Sequence, residues 1–373
     1  MKAWPTKPLL EVCSPKQWPT ISAAELTETG YPVYGANGQI GYYRSYNHED
    51  PTILITCRGA TCGTLNVSSP RAYVTGNAMA LDNPRLDVIN FRFLYYSLLG
   101  RGLGDTISGT AQPQITRKSL SHVSVPAPPL AEQERIVKLL DEADELRKLR
   151  AEADHRTANL ISALFDEMFG DPSTNSFRWP ITRAGELMET CDYGTSQKSN
   201  EEGRGIVVLR MGNVTVDGVL DLEDLKTVEL TDRELAKQRL RAGDVLFNRT
   251  NSRELVGKTG MWDGRFEAVA ASYFIRVRFR AEIEHPQHFV TFMNLPYMKH
   301  RLAEIARGAV GQANINSKEL QSIEVPVPPI TRQQEFAGRV TKFRELEAAQ
   351  TKSRERLDDL FQSMLHGAFN GEL

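Results

Sequence analysis

The sequence repeats itself at a distance of 200 residues, and this repeat is the feature that most limits the possible folds. Without any gap, the stretch from Gly109 to Asp171 aligns with residues 309–371. Identical residues at this offset include Gln112, Ile115, Leu120, Val125, Pro126, Pro128, Pro129 and Gln133, which align with Gln312, Ile315, Leu320, Val325, Pro326, Pro328, Pro329 and Gln333. A period near 200 is far longer than the unit of a solenoid, so the pattern predicts one domain plus one helix, duplicated.

Each copy of the repeat has the same local pattern, which is a strand, a proline-rich stop and a long charged segment. A short β-branched strand (His122 to Val125, Ser322 to Val325) runs into Pro-x-Pro-Pro. Prolines fix φ and donate no hydrogen bond, so they end the strand and allow a helix to start just after them. From Ala131 to Met168 there is no Pro or Gly. A helix of that length, roughly 38 residues, would be about 57 Å long.

Apolar residues in both charged segments recur at intervals of three and four, which indicates a helix with one apolar stripe. The stripes consist of Ile136, Leu140, Ala143, Leu146, Leu160, Leu164 and Met168 in the first copy, and of Phe336, Val340, Phe343, Leu346, Leu357, Leu360, Met364 and Ala368 in the second. Because packing holds an isolated helix, each long helix needs a long partner, and the nearest is the other copy. We expect the two to run antiparallel as a coiled coil. The alternative is that each helix merely covers its own domain.

The composition is that of an ordinary soluble chain. Its 373 residues are 40% hydrophobic and 25% charged with a net charge of −2, which by itself predicts no nucleic acid, membrane or acidic partner. The four cysteines form no CxxC pair and lie near no histidine cluster, so we expect reduced thiols and no metal site. The start lacks an apolar signal core and no stretch has membrane-spanning length, so we expect a cytoplasmic protein.

The sequence also lacks the motifs of an enzyme. Gly257-Lys258-Thr259 resembles the end of a phosphate-binding loop, but Ser252 stands where that loop needs its first glycine. There is no G-x-G-x-x-G after a strand, no H-E-x-x-H and no G-x-S-x-G. The paired prolines are followed by Leu130 and Ile330 rather than by the aromatic residue with which amino-methyltransferases hold a base. We therefore expect no catalysis by this chain alone.

The two globular parts show the same features in the same order, although their sequences have diverged. Each opens with Trp-Pro (Trp4-Pro5, Trp179-Pro180) and later has an apolar strand that runs into a polar loop. These strands are Ile53 to Cys57, followed by Arg58, and Gly243 to Asn248, followed by Arg249. Both parts are predicted to be α+β units with many short strands. Gly170-Asp171-Pro172-Ser173 is a natural break between the copies.

Taken together, these features resemble the specificity subunit of type I restriction-modification systems. The likeness is carried by the duplicated Pro-x-Pro-Pro segments with Gln133 and Gln333, by the long helices, by Tyr31 to Gly41, and by Gly243 to Asn248 with Arg249. The resemblance implies two target recognition domains, each reading one half of a split DNA sequence, held apart by two antiparallel helices. It also implies methyltransferase subunits that bind S-adenosylmethionine and dock on the helices, and motor-nuclease subunits that join the assembly.

The resemblance fixes the predicted domain organisation. Residues 1–128 and 171–328 are predicted to be the two target recognition domains, and residues 129–170 and 329–373 the two spacer helices. The fold class is then α+β with a pseudo-two-fold duplication. No cofactor is expected in this chain, and the partners implied are double-stranded DNA and the methyltransferase and restriction subunits, with no membrane.

Base reading in the major groove favours Arg for guanine and Asn or Gln for adenine, on projecting loops. The predicted DNA-binding residues of the first domain are Asn37, Gln39, Tyr43, Arg44, Arg58 and Thr61, and those of the second are Asn213, Arg249, Asn251, Ser252, Arg253 and Lys258. Gln114 and Asn314 are weaker candidates, and Gln112 with Gln312 is interpreted as structural because domains with different targets should differ where they read. Arg58 and Arg249 are the strongest candidates, since each follows a strand at the same place in its copy.

Three classes of function remain open on the sequence alone, of which a self-contained nuclease or methyltransferase is the least favoured. The leading hypothesis is a non-catalytic DNA-specificity subunit whose helix length fixes the distance between the half-sites. The second is a helical adaptor that binds only proteins. The near-neutral net charge argues against the first hypothesis, because phosphate contacts supply much of the affinity for DNA. We therefore expect partner subunits to provide the positive surface.

Overall fold

A computed structural model describes residues 4–109, 112–157, 160–306 and 312–372 of the chain. The chain forms two compact units, which are Met1–Ala153 with Thr351–Leu373, and Asp154–Gln350. This division cuts both long helical segments near their middles. The boundaries predicted above at residues 128, 170 and 328 instead separate the globular domains from the helices, and they stay predictions. Each unit is described by itself.

Unit 1 contains two small sheets, a two-stranded ribbon and two short helices. In chain order its elements are β1 (Thr6–Pro8), α1 (Leu9–Val12), β2 (Ser14–Gln17), β3 (Tyr31–Gly35), β4 (Gly38–Tyr43), β5 (Ile53–Thr56), β6 (Leu65–Val67), β7 (Tyr73–Val74), β8 (Ala78–Asp82), α2 (Phe91–Arg101) and β9 (Ser124–Pro126). One sheet has the order β2-β8-β5-β6 and the other β4-β3-β7. Strand β5 is buried along its whole length because it lies between β8 and β6.

The long helical segments follow the proline-rich stops, as predicted. They are α3 (Leu130–Thr157) and α4 (Leu160–Phe169). The second copy forms a single helix, Ile330–Asn370, which is labelled α10 below. The single helix predicted over 131–168 therefore corresponds to α3 and α4, and residues 158 and 159 between them lie outside the described residues. No helix within the described residues is both long enough and apolar enough to span a membrane.

Unit 2 repeats the plan of unit 1 with longer connections. Its elements are α4, β10 (Ile181–Arg183), α5 (Ala184–Leu187), β11 (Met188–Tyr193), β12 (Ile206–Leu209), β13 (Lys226–Val228), α6 (Asp232–Gln238), β14 (Val245–Asn248), β15 (Thr250–Asn251), β16 (Thr259–Met261), β17 (Ala268–Ala270), β18 (Phe274–Phe279), α7 (Pro286–Asn294), α8 (Pro296–Ile305), β19 (Ala313–Asn314), α9 (Ser317–Gln321), β20 (Glu324–Pro326) and the part of α10 up to Gln350. Its sheets have the orders β11-β18-β14-β16 and β13-β12-β17.

The two units share one topology, which confirms the duplication that the sequence predicted. In each, the four-stranded sheet is antiparallel, whereas the three-stranded sheet contains one parallel pair, β3 with β7 and β12 with β17. The first and last strands also pair with each other, β1 with β9 and β10 with β20. The mixture of helix and sheet is the predicted α+β class.

Each unit packs the start of one long helix beside the end of the other. In unit 1, Ile136 and Leu140 of α3 share a core with Phe361 and Leu365 of α10. The Arg147 guanidinium lies 4.4 Å from the centre of the Phe361 ring. In unit 2, Phe336 at the start of α10 shares a core with the last turns of α4. Within each unit, the start of one long helix and the end of the other thus share one core. Each helix also packs on its own domain, and the antiparallel coiled coil stays a prediction.

Matching aromatic contacts fix the ends of the helices. The Trp4 indole N–H donates to the Ala368 carbonyl at 3.1 Å, and the Trp179 indole N–H donates to the Phe169 carbonyl at 2.9 Å. The Trp-Pro echo in the sequence therefore marks equivalent structural positions. This contact with the end of a helix explains why each copy opens with a tryptophan.

A buried glutamine joins each long helix to its domain. The Gln133 side chain accepts a hydrogen bond from the Asn90 N–H at 2.7 Å and donates to the Val88 and Pro128 carbonyls at 3.0 and 2.8 Å. Gln333 makes the same three bonds, to the His285 N–H and to the carbonyls of Ile283 and Pro328. Both side chains are fully buried. The glutamines shared by the two copies are thus structural.

Replacing Gln333 with Ala is expected to lower the free energy of unfolding by about 2–3 kcal/mol, because three buried backbone groups lose their partner. Urea unfolding would measure this loss. Gln334 is the matched control, since it is the same residue type, adjacent in the helix and exposed. Its replacement with Ala should change the stability by less than about 0.5 kcal/mol. Equal effects of the two substitutions would refute a specific role for Gln333.

Candidate nucleic-acid interface

In unit 1, three of the predicted DNA-binding residues lie on one surface formed by two loops. Asn37 lies in the tight turn between β3 and β4, and Arg58 and Thr61 lie in the loop after β5. The Thr61 hydroxyl donates a hydrogen bond to the Asn37 side-chain oxygen. Arg58 forms a backbone bridge with Gln114, which brings a third segment to the same surface. All three predicted residues are exposed and present polar groups to solvent.

The other predicted residues of unit 1 lie on and just after β4. Gln39 follows the turn and is exposed, whereas Tyr43 ends the strand and is only 8% exposed. Tyr43 packs edge to face on Tyr73 with 5.3 Å between ring centres, and Arg44 is exposed beside it. A strand rises about 3.3 Å per residue, so Tyr43 and Arg44 lie at the end of β4 away from Asn37. The structure does not bring them to the surface that Arg58 occupies.

In unit 2, the loop after β14 forms the equivalent surface. The Arg249 guanidinium donates to the Asn314 side-chain oxygen at 3.0 Å and lies 4.8 Å from the centre of the Tyr193 ring. The Asn314 amide donates in turn to the Thr250 hydroxyl at 3.1 Å. Gln114 pairs with Arg58 through the backbone, whereas Asn314 pairs with Thr250, so Thr250 is the structural equivalent of Arg58. Cys57 is the equivalent of Arg249, because the N–H groups of Ile115 and Ile315 donate to the Cys57 and Arg249 carbonyls. The prediction that the two arginines occupy the same place in their copies is therefore wrong by one residue. A guanidinium stacked on an aromatic ring and fixed by an amide has few rotamers left, which suits recognition of a planar group.

Three further predicted residues continue the unit 2 loop. The Asn251 amide donates to the Asn248 side-chain oxygen at 3.2 Å, and its own oxygen accepts from the Ser252 N–H at 2.9 Å. Arg253 is exposed, and its guanidinium donates to the Ala303 carbonyl at 3.4 Å. These residues stay predicted DNA contacts, and they share the surface of Arg249.

Burial corrects the prediction for three residues. Asn213, Lys258 and Tyr43 are 3%, 8% and 8% exposed. The Asn213 amide donates to the carbonyls of Asp221 and Asp224, at 2.9 and 3.0 Å. The Lys258 ammonium donates to the Met211 carbonyl at 2.9 Å, and burial lowers its pKa. The side chains of Asn213 and Lys258 bind carbonyl groups inside the domain, so they hold its loops in place and do not face a ligand.

Unit 2 also contains a polar cleft that the sequence did not predict. Its volume is about 710 Å³, and its walls are residues 195–199, residues 210–213, Asp221, Asp224 and the segment 271–273. Arg210 projects from one wall at the end of β12. It was missed because the partner of its side chain, Asp224, is 14 residues away along the chain. The available signal was the run Ile206 to Leu209 followed by Arg, which is the pattern that singled out Arg249.

The apolar stripe of the long helices separates into buried and exposed residues. Ile136, Leu140, Leu164, Phe336 and Val340 are buried in the cores of their own units, and Phe343, Leu357 and Met364 are partly buried. Leu146, Leu160, Leu346 and Leu360 stay exposed, at 54%, 36%, 50% and 52%. The exposed leucines match at the 200-residue offset. Of the predicted partner-binding residues, only the exposed and partly buried ones are free for another subunit, and the five buried ones are assigned to the fold.

Comparison with known proteins supports the sequence-based interpretation. The family model of the type I restriction modification DNA specificity domain matches the chain twice, over residues 1–154 and 178–357. The two matches coincide with the two copies of the repeat. They cover most of the chain.

Several relatives are specificity subunits. The chain is 26% identical over 300 residues to the type I restriction enzyme EcoKI specificity subunit of Escherichia coli (strain K12), an alignment covering 75% of this chain and 64% of the relative. It is 23% identical over 334 residues to the StySPI specificity subunit of Salmonella potsdam, covering 84% and 68%. The chain thus spans about two thirds of the length of these relatives.

The fold is shared with solved structures over nearly the whole length. The S subunit of a type I restriction-modification system from M. genitalium superposes with a TM-score of 0.64 at 15% identity, covering 98% of this chain and 96% of that one. A chain from structural work on complex assembly and conformational transition of the type I R-M system gives 0.58 at 20% identity, covering 100% and 98%. With its duplicated topology and its two family matches, the chain belongs to the family of type I restriction modification DNA specificity domains.

Proposed function

We propose that this chain is the DNA-specificity subunit of a type I restriction-modification system, and that each of its domains reads one half of a bipartite DNA site. The observation that carries the proposal is that the loop after the buried strand of each domain presents polar groups, Arg58 and Thr61 with Asn37 in the first domain and Arg249 with Asn314 in the second. The two loops are equivalent in a duplicated fold, but their polar residues differ between the copies. This difference is what two domains with different target sequences require.

We further propose that the long helices form an antiparallel coiled coil that acts as a spacer. This arrangement is supported by the core that the start of α3 shares with the end of α10 in unit 1, and by the core that the end of α4 shares with the start of α10 in unit 2. A helix of 41 residues such as α10 is about 60 Å long. A rigid connection of that length would fix the number of base pairs left unread between the half-sites.

The exposed leucines of the helices are the proposed docking sites for methyltransferase subunits. Leu146 with Leu346, and Leu160 with Leu360, offer the same apolar contact twice. Two copies of a partner would therefore bind in equivalent ways. In this proposal the chain has no catalytic group of its own. S-adenosylmethionine binds in the methyltransferase subunits, restriction subunits join the same assembly, and the partners supply the positive surface that a chain of net charge −2 lacks.

The direct test is to co-express the chain with the methyltransferase subunits of its own system and to map methylated sites on a random DNA library. The expected result is a bipartite motif with a fixed unread spacer, absent when the chain is omitted. Methylation without a motif, or binding to partner proteins with no sequence preference in DNA footprinting, would favour a protein-only adaptor.

A further inference from the structure

The polar cleft of unit 2 holds an arginine that its neighbours fix in place. The Arg210 guanidinium donates through Nη2 to the Asp224 carboxylate at 2.7 Å and to the Asp224 carbonyl at 3.1 Å. The backbone N–H of Arg210 donates to the buried Asn213 side chain at 2.8 Å, and Asn213 also holds the carbonyls of Asp221 and Asp224. The arginine and the two acids are thus held together by one buried amide.

The guanidinium is positioned to bind a further acceptor. Its Nε is buried and has no hydrogen-bond partner among the described residues. Nη2 donates to both the carboxylate and the carbonyl of Asp224, which occupies its two hydrogens and leaves the two Nη1 hydrogens for a ligand. The Arg210 side chain is 28% exposed and that of Asp224 is 80% exposed, so the pair lies at the mouth of the cleft. A ligand as large as the edge of a base pair can reach it there.

The charges at the mouth of the cleft favour a base pair over a phosphate. Asp221 and Asp224 line the same cleft as Arg210, and two carboxylates would repel a phosphate group. A G·C pair fits this combination, because guanine presents two acceptors, O6 and N7, in the major groove and cytosine presents the N4 amino donor. Arginine donates to the first two and a carboxylate accepts from the third.

We propose that Arg210, with Asp224 or Asp221 beside it, reads one G·C base pair in the half-site of the second domain. Arg210 donates to guanine, and the neighbouring carboxylate accepts from the paired cytosine. This inference rests on the proposed function, because it assigns a base to one of the two half-sites. It adds a specificity residue outside the loop of Arg249.

The corresponding position in unit 1 explains why the two domains would differ here. Strand β3 is the equivalent of β12, and a two-residue turn, Ala36-Asn37, joins it directly to β4. In unit 2 the connection covers residues 210–225 and builds one wall of the cleft. The carbonyls of Tyr34 and Leu209 accept equivalent bonds from the N–H groups of Thr75 and Ala271, so Gly35 stands where Arg210 does. Glycine has no side chain, so the first domain has no group at this position that could read a base.

The test uses the complex of the full chain with its methyltransferase subunits and a DNA library in which both half-sites are randomised. Arg210→Ala is expected to reduce the preference for G·C at one position of the second half-site by about 10- to 100-fold and to leave the first half-site unchanged. Arg210→Lys, which keeps the charge but cannot donate two parallel bonds, should lose most of the same preference. Arg241→Ala is the matched control, since Arg241 is exposed, lies in the same domain and precedes β14.

The outcomes separate this inference from the function on which it rests. If the wild-type complex shows no bipartite motif, the proposed function fails and the base assignment fails with it. If the motif is present but Arg210→Ala and Arg210→Lys leave every position of the second half-site unchanged, only the inference is overturned. If Arg210→Ala instead lowers the affinity for DNA equally for all sequences, and makes that affinity less dependent on salt, Arg210 contacts a phosphate and the inference is also overturned.

Discussion

Inserting four residues into both long helices, after residues 150 and 350, is expected to abolish methylation of the original site and to move it to sites with a longer unread spacer. Four helical residues add about 6 Å, and successive base pairs rise about 3.4 Å, so the spacer should grow by roughly one to two base pairs. Because one half-site would lose all its specific contacts, activity on the original site should fall by more than about 100-fold. Sequencing of methylated library DNA would measure both changes.

The control for this experiment places the same four residues in only one of the two helices. The cores that pair α3 with α10 and α4 with α10 would then lose their register, so both the original and the lengthened sites should be methylated poorly. A double insertion that keeps the original spacer would refute the proposal that helix length sets the distance between half-sites.

Removing one member of the buried Glu284–His288 pair is expected to lower the free energy of unfolding by about 3–5 kcal/mol. The Glu284 carboxylate and the His288 ring nitrogen are 2.7 Å apart, and both side chains are at most 1% exposed. Phe165 stacks on the His288 ring and Phe169 packs edge to face on it. Since water cannot reach the remaining group, Glu284→Ala or His288→Ala would leave it buried without its partner. Urea unfolding of each variant would measure the loss.

Unit 1 supplies the control for this pair. Gln133 binds the Asn90 N–H as Gln333 binds the His285 N–H, so Ile89 and Phe93 are the equivalents of Glu284 and His288. Phe93 packs on Phe369 with 5.3 Å between ring centres, as His288 packs on Phe169 at 4.8 Å. The double variant Glu284→Ile with His288→Phe should therefore lie within about 1 kcal/mol of wild type or be more stable. Single variants that lose less than about 1 kcal/mol would contradict this account.

The sequence predicted the features that depend on local rules and on the repeat. A run of prolines cannot continue a central strand and suits the residues just before a helix, so the starts of α3 and α10 after Pro129 and Pro329 were predictable. The duplicated topology followed from the 200-residue offset. Arg58 and Arg249 were predicted from the apolar strand that each follows, but the structure places Arg58 one residue further along, at the equivalent of Thr250.

The remaining features depend on partners that are distant along the chain. Asn213 and Lys258 have the composition of surface residues but are buried, because the carbonyls of Asp221 and Met211 meet them only in the folded domain. Arg210 was missed for the same reason, since Asp224 reaches it across a loop. The helix stripe predicted apolar contact correctly. It did not distinguish Leu140, which is buried in a core, from Leu146, which is exposed.

The pairing of the first strand with the last in each domain bears on how such proteins change over time. Because β1 lies against β9 and β10 against β20, the chain enters and leaves each domain at one place. Nearly identical Pro-x-Pro-Pro segments follow both exits. A recombination event at these segments would exchange a whole reading domain and leave the helices and their contacts intact. If each domain reads one half-site, as proposed above, a lineage carrying this gene would acquire a new half-site in a single recombination step.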